Sequence, residues 1–174
     1  MLKEITILQE VAINIFLMAL WHLACFWLCT HLDNAYFDVS KRQYKAHPWE
    51  QYGKWYQEKL NIKKWKDILP QHIGKDGFSK KSFTQVSIDY IDEFILETCR
   101  GEWDHSRNCL YGLISLAISS PAVGVLFLLL TLLVNLPFIA IQRYNRFRLQ
   151  ELRVKILQKN KKLAAEQGDI PGKQ

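Results

Sequence analysis

The sequence has little of what small secreted, fibrous or metal-held chains are built from. It has four cysteines in 174 residues, and none forms a CxxC pair. That excludes a disulfide framework and leaves no metal-ligand spacing, so no metal site is expected. Glycine and proline are sparse, and no repeat or low-complexity stretch occurs. That excludes collagen-like and solenoid architectures. The GxSxG, P-loop, GxGxxG and HExxH motifs are absent. Charge is also missing where it matters most, since Cys109 to Ile141 holds no Lys, Arg, Asp or Glu. Hydrophobic residues still make up 49% of the chain, which excludes intrinsic disorder. They are gathered into a few runs, which argues against a soluble monomer.

Ala122 to Ile141 (AVGVLFLLLTLLVNLPFIAI) is twenty uncharged residues, enough at about 1.5 Å each to cross roughly 30 Å of hydrocarbon. Val11 to Cys29 is also long enough and holds only Asn14 and His22 as strongly polar groups. It lacks the basic start and small-x-small site of a cleaved signal, so an uncleaved helix is expected. Cys109 to Ser119 is apolar but too short to span on its own, which suits a re-entrant or interfacial helix. Pro121 then disfavours helix at Ser120, so a hairpin with its tip near Ser120 and Pro121 is expected. The expected fold is therefore an all-α membrane protein with two spanning helices and a short third hydrophobic helix. Its regions would be an N-terminal span (1–31), an interfacial and cytoplasmic-side helical region (32–104), a membrane hairpin (105–141) and a basic tail (142–174).

From residue 142 onward the chain carries nine Lys/Arg against three Asp/Glu. Basic residues flanking a span mark its cytoplasmic side. The C-terminus is thus expected in the cytoplasm, with residues 31–104 on the same side and the N-terminus outside.

Residues 47–70 interleave Trp49, Tyr52, Trp55, Tyr56 and Trp65 with Lys54, Lys59, Lys63, Lys64 and Lys66. Aromatic rings favour the headgroup zone, and lysines favour anionic lipid. The plainer alternative packs these rings on a small core. Tethering between spans argues against nucleic-acid binding. Gly74 to Ser82 (GKDGFSKKS) reads as a turn-rich connection. Val86, Tyr90, Ile91, Phe94 and Ile95 form a helical stripe, so a helix should start near Ser87.

The residues most suited to chemistry follow in that helix. At about 100° per residue, Glu97, His105 and Glu102 share one surface, with Gly101 leaving space among them. A carboxylate beside an imidazole raises its basicity and fixes its tautomer, as removal of a hydroxyl proton requires. Arg100 and Asp104 fall on the other flank and could pair at i, i+4. The plain alternative is a polar collar at the membrane surface. His22, ionisable within a span, needs a partner or a cavity, and Asn135 is the candidate neighbour. The four cysteines are expected to be reduced, mostly packed thiols, with Cys99 as a thioester-forming nucleophile the unsupported alternative. After the last span, QRYNRFRL offers guanidinium groups for phosphate capture or membrane anchoring.

The order of these elements resembles the glycosyl-4,4'-diaponeurosporenoate acyltransferase family. Asn135-Leu136-Pro137 leads to QRYNR at Gln142 to Arg146. The block from Glu97 to His105 (ETCRGEWDH) is similar to that family's ETxRxExxH stretch. Gly53-Lys54 and Lys64-Trp65-Lys66 resemble its GK and KW elements. The resemblance implies a bacterial multi-pass membrane enzyme that moves a fatty acyl group onto the glucose C6 hydroxyl of a glycosylated carotenoid or glycolipid. Acyl-CoA would be the co-substrate, with no bound cofactor. Glu97, Arg100, Glu102 and His105 become the catalytic candidates. Arg143, Tyr144, Asn145 and Arg146 become donor or headgroup contacts, with His22 and Asn135 as further binding candidates. Phe147 departs from the Pro that commonly follows QRYNR. A non-catalytic lipid-binding scaffold and another isoprenoid-lipid transferase are the rival readings.

Overall fold

The computed structural model describes residues 6–69 and 87–168. The expected turn-rich connection at Gly74 to Ser82 lies outside the described residues. Helix α1 spans Ile7–His31. Thr6 starts it through a capping box, its Oγ1 accepting from Gln9 N while Gln9 Oε1 accepts from Thr6 N. Helices α2 (Lys54–Leu60) and α3 (Ile62–Trp65) are short. Helix α4 covers Ile88–Ile118, and α5 covers Pro121–Gly168. Ser87 caps α4 by accepting from Tyr90 N at 3.1 Å, as the sequence pattern implied. Among the described residues there is no strand.

Helices α4 and α5 form an antiparallel hairpin whose tip is Ser119-Ser120-Pro121. Two glycines set how closely they approach. A Cβ on Gly112 would lie 2.6 Å from Thr131 Oγ1 and 2.8 Å from Leu128 Cα. A Cβ on Gly124 would lie 2.8 Å from Leu116 Cα. Backbones packed this closely are typical of helices that associate in lipid, where burial of apolar surface gives no drive between helices.

Helix α1 runs antiparallel to α4. Its contacts step evenly along both helices, from Glu10 with Ser120 through Asn14 with Ser115 and Trp21 with Arg107 to Cys29 with Arg100. The stretch of α4 from Arg100 to Ile118 therefore travels beside almost the whole of α1. This corrects the expectation of a separate short helix, because Cys109–Ile118 is the end of a 31-residue helix. Hydropathy under-read it because its polar residues turn inward. Glu102, Asn108 and Ser115 are buried against neighbouring elements, while Leu110, Leu113, Leu116 and Ile118 face outward.

Asn14 shows how a polar group is accommodated at this depth. Its Nδ2 donates to Glu10 O and Ser119 Oγ, and its Oδ1 accepts from Tyr111 Oη and Ser115 Oγ. Every polar function of the amide is satisfied, which offsets its burial. Nearby, Glu10 accepts from Ser120 N and Ser120 Oγ. An acid from α1 thus sits at the start of α5, where helix N–H groups lack partners.

Both α1 and α5 are long and apolar enough to cross a bilayer, and only 11% and 28% of their apolar windows are buried. A soluble protein's core helix would be mostly buried. Here Ile13, Phe16, Leu20, Leu23, Leu126, Leu129 and Leu133 lie on the outside. This is the architecture of an all-α membrane protein.

The middle region is compact. Tyr56 and Ile62 pack on Ile141, Tyr144 and Phe147 of α5, with Trp55 and Trp65 at the edge. Trp49 and Tyr52 stay exposed. The aromatic residues thus divide between core packing and a free surface. The chain reaches this core through three consecutive left-handed residues, Gln51 (φ 48°), Tyr52 (φ 52°) and Gly53 (φ 95°). Such backbone is costly for the two non-glycine residues. At Gly53 it brings the chain against Phe147, where an added Cβ would lie 3.3 Å from Phe147 Cβ.

Gly112→Val should force α4 and α5 apart and destabilise the fold by about 1–3 kcal/mol. Gly101→Ala should be milder, because the added carbon meets only the flexible Gln142 side chain. Thermal unfolding in detergent, followed by circular dichroism, ranks the two.

Candidate active site

Just beyond the spanning part of α5 lies a buried four-charge cluster. Arg143 is its hub. Its Nε donates to Glu50 Oε1 at 2.5 Å, one terminal nitrogen to Glu50 Oε2 at 2.6 Å, and the other to Glu102 Oε1 at 2.6 Å. The same terminal nitrogens reach Lys45 O at 2.9 Å and Gln43 O at 3.2 Å. Arg146 donates to Glu102 Oε2 and lies over the Tyr44 ring. Glu50 is completed by Tyr56 Oη at 2.6 Å and His47 N at 2.6 Å. Two carboxylates meet two guanidinium groups, so the cluster is neutral overall.

All four residues are buried, Glu50 and Arg146 completely. Burial alone would raise the Glu50 carboxyl. Hydrogen bonds from Arg143, His47 N and Tyr56 outweigh it and hold the group below the ordinary glutamate value. Burial likewise works against the charged form of Arg143, and its bonds to Glu50 and Glu102 more than offset that. Burial and the Glu50 bond raise the Tyr56 hydroxyl well above its usual range. Burial also pushes Tyr44 up to about 12. Cys99 is fully buried and pushed up to about 11, so it is a packed thiol and not a nucleophile at neutral pH.

One to two turns deeper, His105 meets α5. Its Nδ1 lies 2.9 Å from Asn135 Oδ1. Asn135 Nδ2 donates to Thr131 O at 2.9 Å, which fixes the amide with its oxygen toward the ring. An amide oxygen only accepts, so His105 Nδ1 carries the proton and Nε2 carries the lone pair. Phe138 stacks on the imidazole with centroids 4.6 Å apart and planes at 10°. Among the described residues, His105 Nε2 has no hydrogen-bond partner. The ring is oriented on one nitrogen and open on the other, as a general base requires.

The structure brings together only part of the set expected from the sequence. Glu102 does not brace His105, because both its oxygens are taken by Arg143 and Arg146. The space expected at Gly101 is filled by Gln142. Glu97 pairs with Arg100 at 3.1 Å. Arg100 does not pair with Asp104. It donates to Cys29 O at 2.5 Å and Asn34 Oδ1 at 2.8 Å and lies over the Phe37 ring, bolting α4 to the end of α1. Among the described residues none of its hydrogen bonds goes to His105.

Asn135 does not partner His22 either. His22 Nδ1 lies 2.8 Å from Met18 O, within its own helix. Arg143 and Arg146 are consumed inside the protein, so neither is free on the surface for phosphate. Tyr144 is a core residue, and Asn145 is half-buried beside it. The reason is shared: long charged side chains next to apolar helices find partners across the hairpin, and spacing along one helix does not show those partners. Sequence reasoning missed Glu50 altogether. The one available signal was its isolation, as the only acid between Asp38 and Glu58 in a lysine-rich stretch.

A hairpin of membrane helices that orients an imidazole beside a buried ion cluster has the features of an integral-membrane enzyme. The family described as glycosyl-4,4'-diaponeurosporenoate acyltransferase matches residues 40–155, more than half of the chain. The matched segment contains Glu50, Glu102, His105, Asn135, Arg143 and Arg146. The chain belongs to this family of acyltransferases. Glycosyl-4,4'-diaponeurosporenoate acyltransferases of Staphylococcus aureus strains MRSA252 and N315 are each 29% identical to it over 127 residues. The alignment covers 72% of this chain and 76% of theirs. The protein of strain bovine RF122 / ET3-1 is 28% identical over the same length. No solved structure matches the chain.

Arg143→Gln should leave Glu50 buried without its guanidinium and destabilise the protein by about 3–5 kcal/mol. Arg143→Lys should restore little, because an ammonium cannot bridge two carboxylates as the guanidinium fork does. Melting temperatures in detergent test both.

Because the Glu50 carboxyl is held below its ordinary 4.5, it binds a proton more readily unfolded than folded. Its contribution is fully present above pH 4.5 and disappears as pH falls through the lowered value. Melting temperature should stay level from neutrality toward pH 5 and then drop, and Glu50→Gln should weaken that acid dependence.

Proposed function

We propose that the protein transfers a fatty acyl group from a thioester donor, acyl-CoA, to a sugar hydroxyl of a glycosylated carotenoid or related glycolipid. The observation that carries this reading is the oriented His105 ring, with its Nδ1 proton held by Asn135 and Nε2 unpartnered. The glycosyl-diaponeurosporenoate acceptor for which the relatives are named supports the acceptor class. The substrate's apolar chain would lie in the bilayer against the outward apolar faces of α4 and α5, with its sugar near the inner interface.

The steps are direct. His105 Nε2 takes the proton of the sugar hydroxyl as its oxygen forms a bond to the thioester carbonyl carbon. The tetrahedral intermediate collapses, the C–S bond breaks, and the thiolate leaves with the proton returned by the imidazolium. One ester forms and one thiol is released, with no net proton change. The Glu50–Arg143–Glu102–Arg146 cluster acts at one remove, fixing α4 against α5 and so holding His105 on Asn135.

In this reading the molecule sits in the bacterial cell membrane with the tail of α5 in the cytoplasm. Support comes from Arg148, Lys155, Lys159, Lys161 and Lys162 beyond the span. Exposed Trp49 and Tyr52, among lysines of the middle region, would rest on the inner leaflet.

Purified protein in lipid nanodiscs, given labelled acyl-CoA and a glycosylated carotenoid, should yield the acylated glycoside by mass spectrometry. His105→Gln should lower the rate by about 10²- to 10⁴-fold without loss of the thermal transition. Asn135→Leu should also slow it, since the ring loses its fixed tautomer. A wild-type protein that binds both lipids but makes no product would fit the scaffold reading instead.

A further inference from the structure

Protonating His105 creates a positive charge on a half-buried ring that is stacked against Phe138. Such a charge needs a counter-charge. Asn135 is neutral and supplies none. The block that carries His105 contains three acids. Glu97 is paired with Arg100, and Glu102 is held on both oxygens by Arg143 and Arg146.

Asp104 is different. Among the described residues it forms no ion pair. One of its oxygens accepts from Asn108 Nδ2 at 3.3 Å, while the other, Oδ1, is buried without a hydrogen-bond partner. Burial works against its charge, and the imidazoles of His105 on α4 and His22 on α1 and the Asn108 hydrogen bond favour it. Asp104 in turn acts on the Cys25 and Cys29 thiols of α1. The Oδ1 of its partner Asn108 is likewise buried without a hydrogen bond, so the Asp104–Asn108 pair is an incompletely satisfied polar site that calls for a cause.

We propose that Asp104 is the electrostatic positioning residue of the reaction, the negative charge that stabilises the His105 imidazolium while it holds the hydroxyl proton. This rests on the reading of His105 as the base. Asp104 takes no proton in the cycle and makes no bond to substrate. It lowers the energy of the ion pair formed when the proton moves. The unpartnered oxygen is then explained, because the strongest demand on it arises only in the charged state. Helical spacing groups Asp104 with Arg100, away from His105. Asp104 lies about 100° from His105 around α4, on the side facing α1, so a one-helix projection assigns it to a different face.

The test uses full-length protein in nanodiscs, with kcat and KM measured separately and folding checked by thermal denaturation. Asp104→Asn keeps the shape and the Asn108 contact but removes the charge. The expected result is a loss in kcat on the order of 10²-fold with KM nearly unchanged, largely recovered in Asp104→Glu. A merely structural residue would not be rescued by a longer acid while failing with an isosteric amide. If Asp104→Asn turns over normally while His105→Gln is inactive, the role of Asp104 is overturned and that of His105 stands. If His105→Gln is itself fully active, the reading of the base fails first. If Asp104→Asn loses its thermal transition, Asp104→Glu decides. A folded Glu variant with restored kcat supports the proposal, and a folded but inactive one overturns it.

Discussion

The structure depends on a guanidinium buried between two carboxylates. Arg143 joins Glu50 of the middle region to Glu102 of α4 while standing on α5 itself. Arg143 lies 93 positions from Glu50 and 41 from Glu102 in the chain. A charge of this kind is tolerable out of water only when its partners and hydrogen bonds are nearly complete, and here they are. Through Arg143 the left-handed turn at Gln51 to Gly53 is held on α5, and α4 is fixed in register with α5. The position of His105 relative to Asn135 follows from that register.

Polar groups, not apolar ones, specify how the three long helices meet. Lipid tails solvate leucine as well as another helix does, so the apolar faces select no partner. At the hairpin tip the selection is made by Asn14, with Tyr111, Ser115 and Ser119. At the opposite end it is made by the ion cluster and by Arg100, which ties Cys29 and Asn34 to α4. Glycines 112 and 124 let the backbones close between these ends. His105 stands in the same interface, one to two turns from the ion cluster. Its orientation is therefore backed by rigid elements on both sides, as a site held to fine tolerance requires.

Much was legible from residues alone. The two apolar helices, the break at Ser120-Pro121 and the Ser87 start of α4 follow from hydropathy, proline chemistry and helical periodicity. The continuity of α4 from Ile88 to Ile118 was not legible. Hydropathy averages over all faces of a helix, and Glu102, Asn108 and Ser115 depress the average although all three are buried against neighbouring elements. The partners of the charged residues were not legible either. Glu102 sits three residues from His105 in sequence and bonds instead to arginines more than forty positions away. Glu50 gave no signal beyond its isolation among basic residues.

The sequence by itself determined which two segments are long and apolar enough to cross a bilayer and where the chain turns into α5, because local composition and backbone chemistry are enough for that. It also determined the family, through short blocks such as ETCRGEWDH and QRYNR. Only the tertiary structure decided which acid meets which base. Pairing is set by the register between helices, and a shift of one turn, about 5.4 Å, exchanges every partner while leaving each helix's own pattern unchanged. That is why His105 is held by Asn135 and not by Glu102, and why the arginines expected at the surface are found locked inside.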